Sequence, residues 1–221
     1  MGSDATLHLL TRLGEVSTTS LVDAASTLRI LPPALRPIVP GRPFAGPVRT
    51  ARANRDLMSV IAGLRECAPG EVLMVDAGGD DRAVAGELFG TEAQRRGLAA
   101  LVIMGRSRDT ATLARMDIPI WSTGYAPNAY AAQALPEVDV PLSLGGVTVA
   151  PGDLIIGDDD GLVVGTTAEL AAAIDGAEAI EARERRLQAA ILGGASLFDA
   201  MNFEEHLAAL RAGRPGGLSF A

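Results

Sequence analysis

The sequence predicts an α/β protein, a partly parallel sheet with helices packed on it. Three observations predict it. Between positions 72 and 121, short apolar runs alternate with helix-like segments, the pattern of strands joined by crossover helices. Between 138 and 164, short apolar runs are divided by Gly, Pro and Asp turns, the pattern of a β-rich layer. The chain has 221 residues, 48% of them hydrophobic, which is enough for one domain with a sizeable core.

The elements follow in order. Residues 4–27 predict a helix in two pieces, the second capped by Ser17-Thr18-Thr19 and buried through Leu21, Ala24 and Ala25. Six prolines between 31 and 47 predict an extended loop, because each fixes φ and removes an amide donor. A strand is expected over 48–53 and a helix over 54–64, ending near Cys67-Ala68-Pro69-Gly70. Val72-Leu73-Met74-Val75 is wholly apolar, hence a strand buried on both faces. It runs into the acidic loop Asp76-Ala77-Gly78-Gly79-Asp80-Asp81. A helix over 84–96 follows, closed by Gly97. Next come a buried strand over 100–104, a short helix over 110–116 and a strand over 118–121. Short strands are expected at 138–142, 147–149, 154–156 and 162–164, then a long helix over 167–192 with a charged, solvated or subunit-facing stretch from Glu178 to Arg186. The tail, 211–221, is rich in Gly and Pro and is expected to be loose.

Composition excludes several roles. A formal net charge of −8 repels phosphates, so no nucleic-acid partner is expected. One cysteine, Cys67, excludes an intrachain disulfide and suits a reducing compartment. No apolar run is long enough to cross a membrane, and no secretion signal opens the chain. A cytoplasmic protein with no membrane partner is expected.

The chemistry gathers at two places. Gly86-Glu87-Leu88-Phe89 lies at or near a helix start, where free backbone amides hold a carboxylate well. Arg108-Asp109 ends an apolar strand, and ligands of open α/β sheets gather at such ends. Two carboxylates can hold a hard divalent cation, and a guanidinium can hold a carboxylate or a developing enolate. Asp109 could equally cap the following helix. Asp80 stands where a dinucleotide loop needs its second glycine, and with Asp81 it would repel a pyrophosphate. Asp158-Asp159-Asp160-Gly161 lacks the alternating spacing of a calcium loop and reads as a tight turn. His8 and His206 have no partner spacing for zinc, Cys67 has no base near it in sequence, and Trp121 reads as core.

Taken together, several segments resemble the RraA-like family, which includes the class II 4-hydroxy-4-methyl-2-oxoglutarate/4-carboxy-4-hydroxy-2-oxoadipate aldolases. They are Val75 to Gly79, Gly86-Glu87-Leu88, Arg95-Arg96-Gly97, Gly105 to Asp109, Met116 to Trp121, Pro151-Gly152-Asp153 and Gly157 to Val164. The likeness runs from about Ser17 to Gly194. It implies a swivelling β/β/α-type sandwich, here one domain over 1–221 with a core at 17–194 and helical arms at both ends, assembled as a homotrimer or hexamer. It implies lyase chemistry on a small 2-oxo acid: retro-aldol cleavage, or oxaloacetate decarboxylation, with Mg²⁺ or Mn²⁺. By this likeness Asp109 ligates the metal, Arg108 contacts the pyruvoyl group, and Glu87 holds metal-bound water. Gly86, Leu88, Phe89 and Arg108 are then the expected substrate contacts.

Two departures stand out. The aldolases carry Asp where this chain has Glu87, one methylene longer. Met104 stands where many relatives are acidic. Arg106 could add a second cation for a dicarboxylate or face solvent. The same family holds non-catalytic regulators that bind a ribonuclease through protein contacts, and that reading stays open.

Overall fold

The computed structural model describes residues 3–220. Two compact units divide the chain, Met1–Ala177 and Glu178–Ala221.

The first unit opens with helices α1 (Ser3–Leu13) and α2 (Thr18–Ala24), then short strands β1 (Arg29–Ile30) and β2 (Arg36–Pro37) and the long strand β3 (Phe44–Arg52). Next come α3 (Met58–Glu66), β4 (Val72–Asp76), β5 (Ala83–Ala85), α4 (Glu87–Arg95), β6 (Ala100–Ser107), α5 (Thr110–Leu113) and β7 (Ile120–Tyr125). Strands β8 (Glu137–Val138), β9 (Leu142–Leu144), β10 (Val147–Val149), β11 (Leu154–Gly157) and β12 (Leu162–Gly165) lead to helix α6 (Thr167–Leu192), which continues into the second unit.

The main sheet has the order β1-β12-β11-β3-β4-β6-β7-β2, with β5 on β6 and β8 on β3. Its centre, β3-β4-β6-β7, is parallel, and its flanks are antiparallel. Strands β4 and β6 explain the wholly apolar runs. Leu73, Val75, Leu101 and Ile103 point to the face covered by α3, α4 and α5, where Val60, Leu64, Ala93 and Leu113 meet them. Val72, Met74, Ala100 and Val102 point to the other face, beneath the β9-β10 hairpin residues Leu142, Leu144 and Val149. A strand buried on both sides has no polar face to show. A third cluster packs α1, α2 and the start of α6 on β11 and β12 through Leu13, Leu21, Ile156, Val163, Leu170 and Ile174.

Several boundaries differ from expectation. Strand β3 begins at Phe44 rather than 48, although Pro47 lies within it. Phe44 to Pro47 pairs with β11, and from Val48 the strand pairs with β4, so Pro47 sits where the partner changes. Helix α3 starts at Met58 rather than 54, because Asn54 (φ 50°) and Arg55 (φ 66°) take the left-handed conformation. The Arg55 amide donates to Ala77 O (2.7 Å), which fastens that turn to the end of β4. Residues 83–85 form β5 rather than the start of a helix, so α4 begins only at Glu87. Strand β6 runs on to Ser107, which places Arg108 directly at its end.

In the second unit, α6 continues to Leu192, and a 3-10 turn (Leu197–Ala200) precedes α7 (Phe203–Arg211). The expected loose tail makes contact with Asn202. Asn202 fastens it, accepting from the Ser219 amide (2.8 Å) and donating to Gly217 O (3.1 Å). Ala221 lies outside the described residues.

Candidate active site

The end of β6 and the start of α4 form one mouth. Strand β5 pairs parallel with β6, and the Arg108 amide donates to Ala85 O (3.0 Å), so Gly86 and Arg108-Asp109 leave adjacent strands together. Asp109 then turns left-handed, φ 58° and ψ 37°. Its carbonyl accepts the Thr112 and Leu113 amides of α5, but its side chain makes no cap to that helix. The carboxylate turns instead to α4: Asp109 Oδ2 accepts the Glu87 amide (3.1 Å). One of the two roles open to Asp109 is thus replaced by capping of a different helix, the preceding one. A carboxylate at a helix N-terminus gains from the aligned peptide dipoles as well as from the hydrogen bond.

Arg108 Nε lies 3.4 Å from the same Oδ2, with both side chains over a third exposed. Gly86 makes this packing possible. A Cβ at Gly86 would stand 2.9 Å from Arg108 Cγ and 3.2 Å from Arg108 Nε, and would collide with Asp109 Oδ2. A side chain there would force Arg108 and Asp109 to shift.

Two recesses share Glu87, Arg108 and Asp109 as a common edge. The smaller, of about 150 Å³, is completed by Gly86, Leu88 and Phe89 of α4 and by an apolar wall that includes Leu57, Val84 and Ala129. The larger, of about 470 Å³, runs along Thr110, Ala111 and Thr112 to Tyr125, Ala126 and Pro127. Helix geometry leaves the Leu88 and Phe89 amides without acceptors inside α4, so they can meet an anion in the smaller recess. Glu87, Leu88, Phe89, Gly86, Arg108 and Asp109, all singled out from sequence, therefore border one cavity.

The donor set suits a hard cation of the Mg²⁺ or Mn²⁺ type. Asp109 commits Oδ2 to the protein, while its other oxygen and the Glu87 carboxylate are oxygen donors on the same edge. Among the described residues no group of three or more His, Cys, Asp or Glu side chains is placed to hold an ion.

Arg106 lies outside both linings. Its guanidinium is spent on Asp80, through the carbonyl and the carboxylate (3.5 Å), and on Tyr125 O (3.2 Å). It braces the acidic loop against β7. Arg55 pairs with Asp81 (3.0 Å), which also accepts from the Tyr130 hydroxyl. The Tyr130 hydroxyl and then Arg55 hold the Asp81 carboxyl below its ordinary range.

Sequence reasoning missed the segment 125–134, whose Ala129 lines the smaller recess and whose Tyr125, Ala126 and Pro127 line the larger. Its anchor is Asp56, buried, whose carboxylate accepts the amides of Met58 (2.8 Å), Gln133 (2.7 Å) and Ala134 (3.2 Å). Burial pushes the Asp56 carboxyl up, but the three backbone donors outweigh it and leave it below its ordinary value. The Asp56-Leu57-Met58 run carries the signal of a helix-start carboxylate, but nothing local to it points to residues 133 and 134.

The remaining candidates have structural roles. Asp158 accepts the Thr18 amide and hydroxyl (2.7 Å each) and the Asp160 amide (3.1 Å), fastening its turn to the start of α2. Cys67 is buried, and desolvation pushes its thiol up to about 12, so it supplies no thiolate. Trp121 is buried edge-on to Phe44.

Comparison with known proteins places this chain in a family. Residues 18–164 match the model of the RraA-like family, described as Aldolase/RraA. A protein of Halalkalibacterium halodurans named "Putative 4-hydroxy-4-methyl-2-oxoglutarate aldolase" is 34% identical over 164 residues, covering 73% of this chain and 78% of its own. A Burkholderia multivorans protein with the same name is 37% identical over 158 residues, covering 68% and 96%. Among solved structures, Streptomyces coelicolor RraAS2, described as an unusual member of the RNase ES inhibitor RraA protein family, superposes with a TM-score of 0.73. It is 32% identical and covers 82% of this chain and 96% of its own.

Proposed function

The chain belongs to the RraA-like family, and we propose that it is a divalent-metal-dependent carbon–carbon lyase. In this reading it cleaves a 4-hydroxy-2-oxo dicarboxylic acid to pyruvate, decarboxylates oxaloacetate, or does both. The observation that carries the proposal is the Asp109 carboxylate, held by the Glu87 amide on one side and beside Arg108 on the other, at the edge of a cavity.

Each residue then has a task. The amides of Leu88 and Phe89 hold the substrate's C1 carboxylate. Arg108 stands beside the C2 oxygen and lowers the energy of the enolate that forms there. Asp109 and, through water, Glu87 would hold Mg²⁺ or Mn²⁺. A bound ion would supply Lewis-acid polarisation of the 2-oxo group. In the retro-aldol direction, Glu87 takes the proton of the C4 hydroxyl through a water it holds, and returns it when C3 is protonated. The O–H electrons form the new C4 carbonyl, the C3–C4 bond breaks, and its pair enters the enolate. Protonation at C3 then gives pyruvate. Oxaloacetate needs no base: the C3–C4 pair enters the same enolate as carbon dioxide leaves.

The apolar wall of Leu57, Val84 and Ala129 keeps water from the enolate face. The family likeness further supports a trimer or a dimer of trimers. A regulator that holds a ribonuclease is the second reading, favoured by the likeness to RraAS2. The test is pyruvate release from oxaloacetate and from 4-hydroxy-4-methyl-2-oxoglutarate, with Mg²⁺ or Mn²⁺ and with chelator. Release that the chelator abolishes is expected. No metal-dependent release from either acid, at high protein concentration, would transfer the assignment to the regulator.

A further inference from the structure

The lyase reading leaves the substrate's far end without a partner. The smaller recess, about 150 Å³, is of the size that takes a ligand such as benzene, with about as many heavy atoms as the pyruvoyl half. The rest of a dicarboxylic acid must extend past the shared edge into the larger recess along α5. That recess is bordered by one cation, Arg108, which the enolate already claims; its other charged residues, Glu87 and Asp109, are carboxylates on the shared edge, and the rest of its lining is neutral.

One further guanidinium stands at its rim. Arg115 lies just past Ala114, the residue that ends α5, and outside the lining itself; its Nη2 donates to Thr112 Oγ1, a lining hydroxyl, at 3.4 Å. This is a long bond to a neutral acceptor. Among the described residues no carboxylate pairs with Arg115, whereas Arg106 and Arg55 are spent on Asp80 and Asp81. Arg108 and Arg115 thus bracket α5, one at each end. An uncommitted, exposed guanidinium gives up little when it turns to a ligand. Its flat fork of donors matches a carboxylate through two parallel hydrogen bonds.

We infer that Arg115 is a specificity-determining residue that binds the second carboxylate of the substrate across the Thr112 rim. This rests on the lyase reading above. It selects dicarboxylic over monocarboxylic 2-oxo acids, and it assigns Thr112 the task of holding the guanidinium ready in the empty site.

The test uses two ligands of equal chain length that the reaction cannot cleave, 2-oxoglutarate and 2-oxopentanoate. They differ in the second carboxylate alone. Their affinities are measured by calorimetry on the Mn²⁺-loaded protein, beside oxaloacetate decarboxylation. Wild type should prefer 2-oxoglutarate, and Arg115→Gln should lower that preference by about tenfold, the worth of a charge-assisted pair at an exposed rim. Arg115→Lys should restore part of it. An unchanged ratio in Arg115→Gln, or no preference in wild type, overturns the inference. If wild type still releases pyruvate from oxaloacetate with metal, Arg115 alone is reassigned. If it releases none, the lyase reading falls as well.

Discussion

Gly86→Ala is the sharpest probe of the site, because one methyl group is aimed at both of its key side chains. The new Cβ would stand 2.9 Å from Arg108 Cγ and would overlap Asp109 Oδ2. To regain a contact of about 3.4 Å, Arg108 Cγ must retreat by about 0.5 Å and the carboxylate by more. Gly86 is extended, φ −157°, so alanine meets no backbone strain and the effect is steric alone. The displaced carboxylate loses the 3.1 Å bond from the Glu87 amide, an N-terminal cap worth about 1 kcal/mol. A displacement approaching 1 Å at a reacting centre costs on the order of 10²-fold in rate. The expected result is therefore a modest drop in stability with a fall of about 10²-fold in kcat/KM for oxaloacetate. Thermal unfolding reads the first and pyruvate release the second. Gly161→Ala is the control, since nothing lies within 4 Å of its added methyl. Activity of Gly86→Ala within threefold of that control would refute the claim that Asp109 and Arg108 work from these positions.

Two further predictions test other links. Glu87→Gln should lose about 10²-fold in retro-aldol cleavage, as expected for loss of a proton acceptor, whereas Glu87→Asp keeps the charge and should stay within about tenfold of wild type. Pyruvate release from 4-hydroxy-4-methyl-2-oxoglutarate separates the two variants. Asp56 predicts a pH dependence of stability. Its folded-state carboxyl titrates below the ordinary 3.8, so its stabilisation is full above that value and is lost as pH falls through the lower folded one. The melting temperature of wild type should therefore fall more steeply than that of Asp56→Asn below about pH 4, and equal slopes would remove Asp56 as the anchor of segment 125–134.

Much of the fold was legible because it is local. Val72 to Val75 and Ala100 to Met104 are apolar at every position, and both are central strands of the sheet. The Ser17 cap accepts the Ser20 amide, and the long helix from Thr167 is present as read. The errors fall where a distant partner overrides local preference. Asn54 and Arg55 fit a helix by composition, yet both turn left-handed, with the Arg55 amide bonded to Ala77 O. Residues 83–85 fit a helix start, but pairing with β6 draws them into the sheet.

The same division runs through the site. The sequence alone determined the candidates, Glu87, Arg108 and Asp109, because charge at a strand end and free amides at a helix start are local properties. Tertiary structure decided that Asp109 caps α4 rather than α5, that a Cβ at Gly86 would displace Arg108 and Asp109, and that Leu57, Ala129 and Tyr125 close the walls. Those facts depend on distances between atoms far apart in the chain. They exist only once the parallel pairing of β5 with β6 has set the two strand ends side by side.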